Sequence, residues 1–172
     1  MSTLKPEVNS KDHVQGSDSA SITIVEFGDY QCPYCGDAYP IIKEIQDAFG
    51  NQIKFVFRNF PLQKSHELAY PAAIAAEAAA LQDKFWEMHD AIYENQYRLT
   101  DQLFNELAEK IGLNTEQFQE DSLSDEIKQK VEDDFESGVR SGVNGTPSFY
   151  VNGTKFDGGA TDLYQMLKES TE

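Results

Sequence analysis

Cysteine is scarce in this chain of 172 residues: there are two, Cys32 and Cys35, and both sit in one short stretch. That excludes a framework of structural disulfides, so packing must hold the fold together. Positive charge is scarce too. Fourteen Lys and Arg stand against thirty Asp and Glu, a formal net charge of −16. Such a surface repels nucleic acid and anionic lipid, so neither nucleic acid nor membrane is expected as a partner. No apolar run approaches the ~20 residues of a transmembrane helix, and the first twenty residues lack the apolar block of a signal peptide. The chain as it stands is expected in the cytoplasm, or in the periplasm or another extracytoplasmic space if a leader has been removed. Only three histidines, His13, His66 and His89, could join the cysteines around a metal, and none has the spacing of a second ligand pair. A metal-binding module is therefore a distant alternative, and neither metal nor cofactor is expected. What the chain does have is 40% hydrophobic and 12% aromatic residues, enough for one domain with a real core.

The two cysteines enclose Pro33 and Tyr34. Thiols three residues apart on one helical turn can close a disulfide with little backbone movement. The β-branched run over residues 22–27 reads as a strand, and residues 36–49 read as a helix that stops at Gly50. Cys32 therefore falls at a strand-to-helix junction. There the unpaired amide N–H groups and the positive end of the helix dipole favour an anion, which lowers a thiol pKa and supplies a nucleophilic thiolate. Cys35, one turn further in, is expected to face the core and to act second.

In chain order, residues 1–19 are polar and read as a largely flexible tail that joins the fold near residues 12–15. Residues 20–64 carry strand, helix and strand. The helix is expected to bury Tyr39, Ile42, Ile45 and Phe49 and to kink at Pro40, and the second strand runs over residues 53–58. From 65 to 139 the periodicity is helical, with five amphipathic segments and no strand. Between Glu94 and Glu136 thirteen acidic residues face four basic ones, which reads as a solvated helical face. Residues 140–172 return to strand, the hairpin signal Asn152-Gly153, a second strand, and a last helix with an expected cap at Thr161.

Four local runs carry a resemblance to a known family. They are the stretch from Val25 to Cys35, Phe57-Arg58-Asn59-Phe60-Pro61-Leu62, Lys84-Phe85-Trp86-Glu87-Met88-His89, and Gly145-Thr146-Pro147-Ser148-Phe149. Over residues 13–167 the chain resembles the DsbA-like branch of the thioredoxin superfamily. The resemblance implies an α/β thioredoxin-like core (20–64 and 140–172) with an inserted helical subdomain (65–139) between its β-α-β and β-β-α halves. It implies a protein thiol:disulfide oxidoreductase acting on cysteine-containing polypeptides, and an unidentified redox partner that recycles the dithiol. It further implies that Cys32 attacks and Cys35 resolves, that the Thr146–Pro147 bond is cis, and that the Thr146 backbone pairs with bound peptide beside Pro33 and Tyr34. Glu26 matches a position where the superfamily buries an acid near the second cysteine; burial would raise its pKa and let it relay a proton. Strand alternation alone leaves an outward Glu26 open. Phe60, Tyr34 and Phe149 suggest hydrophobic surroundings for an unfolded substrate. The inner dipeptide is Pro-Tyr, as in many glutaredoxins, where the best-known DsbA enzymes have Pro-His. An oxidant is the primary expectation, with a glutaredoxin-like or general disulfide reductase as the alternative.

Overall fold

The computed structural model describes residues 2–171. Five strands form one sheet in the order β1-β3-β2-β4-β5: β1 (His13–Gly16), β2 (Ile22–Gly28), β3 (Ile53–Asn59), β4 (Ser148–Val151) and β5 (Thr154–Phe156). Among the described residues seven α-helices accompany it: α1 (Pro33–Phe49), α2 (Ala69–Ala80), α3 (Phe85–Glu94), α4 (Leu103–Lys110), α5 (Thr115–Ser122), α6 (Asp125–Ser141) and α7 (Ala160–Thr171). The fold is the expected thioredoxin-like α/β arrangement. The chain divides into two compact units, one of Met1–Gly28, Pro33–Arg58 and Glu136–Glu172, the other of Asp29–Cys32 and Asn59–Phe135.

The first unit holds the sheet. In β2 both faces are buried, so its near-continuous apolar run replaces strict alternation, and Ile24, Val25 and Phe27 are all in the core. β2 and β4 are antiparallel, with Glu26 opposite Phe149. The hairpin joining β4 to β5 turns at Asn152 (φ 49°) and Gly153 (φ 86°), the two left-handed positions that its Asn-Gly signal announces. α1 starts at Pro33, three residues earlier than expected, since proline is preorganised for a first helical position where no N–H is needed. Pro40 lies inside the helix, which runs on to Phe49; Ala38 rather than Tyr39 joins Ile42, Ile45 and Phe49 on its buried face. α7 starts at Ala160, and Asp162 rather than Thr161 accepts a backbone N–H at its start, from Gly159 at 3.1 Å.

The N-terminal segment, expected to be mostly a flexible tail, makes specific contacts from Ser2 onward, where the carbonyl accepts the Lys155 N–H. Thr3 bridges Thr154, Leu4 is buried and donates its N–H to Gly153 O, and β1 pairs antiparallel with β3. Arg58 explains much of this. Its guanidinium is 2% exposed, donates from Nε and Nη2 to both Asp12 oxygens at 2.8 Å, and donates from Nη1 to Pro6 O and Ser137 Oγ. A buried cation needs such partners, and the polar tail supplies them.

The second unit is helical, as its periodicity indicates. α2 buries seven alanines, Ala69, Ala72, Ala73, Ala75, Ala76, Ala78 and Ala79, and packs against α3, α4 and α5. Small side chains let helix backbones approach closely. Ala73 and Ile74 of α2 form a cluster with Ile127 and Val131 of α6. The same unit buries a polar knot: Asn59 Nδ2 donates to Glu77 and Asp134 at 2.8 and 2.9 Å, and Lys130 Nζ donates to Asp134 at 2.7 Å. Burial pushes the Asp134 carboxyl above its ordinary 3.8; Lys130 opposes the rise and the neighbouring Glu77 adds to it.

Candidate active site

The loop Asp29–Cys32 is built around a carboxylate. Asp29 is 1% exposed and accepts four hydrogen bonds. Its Oδ1 takes the N–H of Gln31 at 2.7 Å and of Cys32 at 3.0 Å, the local turn that Asp makes with residues two and three ahead. Its Oδ2 takes the N–H of Leu62 at 3.0 Å and Nδ1–H of His66 at 2.8 Å. The other side of the Cys32 residue is also held, because Gln96 Nε2 donates to the carbonyls of both Tyr30 and Cys32 at 2.9 Å. Both backbone polar groups of Cys32 are thus fixed by side chains. Tyr30 is buried beneath, joined to His89 Nδ1 through its hydroxyl at 2.8 Å and packed on the rings of His89 and Tyr93. His66 and His89 therefore have structural partners, and among the described residues no three His, Cys, Asp or Glu are grouped to hold a metal ion.

Cys32 directly precedes α1, and Cys35 lies in the first turn of that helix. Both are thiols here; Cys32 is 3% exposed and Cys35 fully buried. Between them, Tyr34 is 73% exposed. Within the sheet unit, Tyr34 and the Thr146–Pro147 turn line one groove of about 500 Å³, with Ile41 of α1 and the residues that lead into α7. The Thr146–Pro147 bond is cis. Pro33 is exposed but does not line that groove.

Glu26 is 3% exposed, so the outward placement left open by strand alternation is not the one adopted. It lies on β2 next to Gly28, where a Cβ would come within 2.4 Å of the Phe57 ring and 2.8 Å of Glu26 Oε2; only glycine fits there. Of the three aromatics expected around the site, Tyr34 alone is exposed. Phe149 is fully buried in β4, and Phe60 is buried and stacked on Phe135 with ring centroids 4.3 Å apart, so both are core. Sequence reasoning missed Asp29, His66 and Gln96. Asp29 had a legible signal, an Asp three residues before a helix-start cysteine; Gln96 had none, because its partners are backbone carbonyls more than sixty positions away.

Comparison with known proteins places this arrangement. The Thioredoxin family model matches residues 8–168, and the chain belongs to that family. Within it, the chain falls among the DsbA-like thiol–disulfide oxidoreductases. It superposes on BdbD of Bacillus subtilis with a TM-score of 0.83 at 28% identity, covering 98% of this chain and 95% of that one. It superposes on the thiol-disulfide exchange protein alpha-DsbA2 of Wolbachia pipientis with a TM-score of 0.82 at 25% identity, covering 94% and 86%. Among curated proteins it is 40% identical over 155 residues to a Na(+)/H(+) antiporter NhaA 1 of Salinispora arenicola, and 38% identical over 157 residues to one of Mycolicibacterium vanbaalenii. In each case the match takes in 90% of this chain, which spans only about a quarter of those relatives' length. No helix among the described residues is long and apolar enough to cross a membrane.

Proposed function

We propose that the chain exchanges disulfides with cysteine-containing polypeptides through Cys32 and Cys35, and that it does so as an oxidant. The observation that carries this reading is the groove shared by Tyr34, the residue between the two cysteines, and the Thr146–Pro147 turn. It offers an extended peptide one surface beside the reactive pair.

In the oxidising direction a substrate thiolate attacks Sγ of Cys32 in the Cys32–Cys35 disulfide. A mixed disulfide to Cys32 forms, the Cys32–Cys35 bond breaks, and Cys35 leaves as a thiolate that takes up a proton. A second substrate thiolate then attacks the substrate sulfur of the mixed disulfide, forming the substrate disulfide and releasing Cys32 as the thiolate favoured at the start of α1. Two electrons pass from the substrate to the pair. A redox partner that accepts two electrons must restore the disulfide. Glu26, buried on β2, is assigned the proton relay to and from Cys35. The Thr146 backbone, Pro33 and Tyr34 are assigned to substrate and Pro147 to the turn that presents Thr146. An oxidant requires a compartment that tolerates disulfides, so the working location is extracytoplasmic. Residues 20–64 and 140–172 are assigned the thioredoxin-like core and residues 65–139 the inserted helices, whose His66 and Gln96 hold the cysteine loop.

The test is the reduction potential of the pair in glutathione buffers, combined with thiol loss from a reduced, unfolded protein substrate. A potential near or above about −180 mV with catalysed disulfide formation is the expected result. A potential below about −250 mV would make the chain a reductase and refute the direction. Cys32→Ser should abolish exchange, whereas Cys35→Ser, given a disulfide-containing polypeptide, should attack it through Cys32 and accumulate the mixed disulfide.

A further inference from the structure

The groove that contains Tyr34 and Pro147 has a charge pattern that the exchange reaction does not require. Its walls include Asp37 of α1 and Asp162 of α7, both exposed, and no Lys, Arg or His. Tyr34, Asp37 and Ile41 recur at helical spacing on α1, so they form one stripe facing into the groove. Asp162 is held in place by the Gly159 N–H at 3.1 Å. The groove thus has an aromatic and aliphatic wall with two carboxylates set into it, on a chain whose net charge is −16.

Charge complementarity defines the occupant. An extended polypeptide with a lysine or arginine next to its reactive cysteine would lay its aliphatic stem on Ile41 and Tyr34. Its cation would meet Asp37 and Asp162, with the exposed Tyr34 ring offering a further face to it. A glutamate or aspartate at the same place would meet like charge. We infer that this groove selects cysteine-containing polypeptides that carry a cationic side chain beside the cysteine. The inference rests on the proposed disulfide exchange and adds the class of client that it favours.

Three synthetic dithiol peptides test it, identical except for Lys, Gln or Glu beside the cysteine, each oxidised by the full chain in its disulfide form. In single-turnover mixing, in which each dithiol consumes one Cys32–Cys35 disulfide, the expected order of second-order rate constants is Lys, then Gln, then Glu, with about tenfold between the extremes at low ionic strength, shrinking in 0.5 M salt as exposed charges are screened. The ratio of Lys to Glu rates should collapse to within about twofold in Asp37→Asn/Asp162→Asn and should invert in Asp37→Lys/Asp162→Asn. Thermal melts of each variant against the unmodified chain confirm folding. Equal rates for all three peptides would overturn the selectivity while leaving disulfide exchange standing; no turnover of any peptide would overturn both. A Lys preference that survives intact in Asp37→Asn/Asp162→Asn would place the selection elsewhere and overturn the assignment to this groove.

Discussion

Replacing Asp29 by alanine tests whether the cysteine loop is held as described. The carboxylate is buried and serves three backbone N–H groups and one imidazole. After truncation, the Cys32 N–H keeps a bond to the Asp29 carbonyl at 3.1 Å, and the half-buried Gln31 can reach water. Leu62 N–H and His66 lose their acceptor outright. Hydrogen bonds to a charged group contribute about 1.5–3 kcal/mol each, offset by the cost of burying the carboxylate, which alanine no longer incurs. A net loss of about 3 kcal/mol follows, or a fall in Tm of roughly 6–12 °C for a chain of this size. Asp29→Asn retains one oxygen for Gln31 and Cys32 but turns an NH2 group towards Leu62 N–H, so it should cost about 2 kcal/mol. Urea unfolding of the reduced protein measures both, and the midpoint should fall at unchanged slope. Alkylation of Cys32 in the folded protein should change rate in the same variants. A double-mutant cycle with His66→Ala should return a coupling above about 0.5 kcal/mol. If Asp29→Ala cost less than about 0.5 kcal/mol, as a surface substitution does, the carboxylate would not be the organiser of this loop.

Arg58→Met breaks the buried, bidentate pair with Asp12; unfolding in urea should show a loss of about 3–5 kcal/mol, and a change under 1 kcal/mol would refute the anchoring of the N-terminal segment. Asp134 binds its proton more tightly in the folded chain than in the unfolded one, so its contribution to stability is full below pH 3.8 and is lost as pH rises through the raised folded-state value. The stability of the unmodified chain relative to Asp134→Asn should therefore fall from pH 3 to pH 8, and a gap that widens in its favour with pH would contradict this. The Cys32 thiolate that the proposed exchange calls for would add stability to the reduced form that the oxidised form lacks, and the four-residue disulfide loop would contribute little by restricting the unfolded chain. Near neutral pH the reduced protein should melt at or above the oxidised one; a clearly more stable oxidised form would point to a reductase.

Much of the fold was legible because its signals are local. The Asn152-Gly153 hairpin, the β2 run and the helical periodicity between Leu68 and Val131 each follow from a few neighbouring residues. The proposed reactive pair rests on signals of the same local kind, its spacing and its position before a helix. What escaped depends on distance along the chain. The tail reads as polar and disordered until Arg58, over forty positions away, is seen to need Asp12 and the Pro6 carbonyl as partners. Phe60 and Phe149 suggest a substrate surface together although each alone is more often core, and their burial decides for core. Gln96 could not be found at all, since a glutamine that donates to two remote carbonyls leaves no pattern in its own neighbourhood.

The alanines of α2 have a consequence for how this chain can vary. Seven methyl groups fill the space between that helix and its neighbours, and none of them has chemistry to offer. Each added methylene would have to move a helix, at about 1–3 kcal/mol, so nearly every replacement should be rejected. A saturation survey of the gene should mark this helix strongly, and a survey of variants read for function alone would mistake it for a functional site.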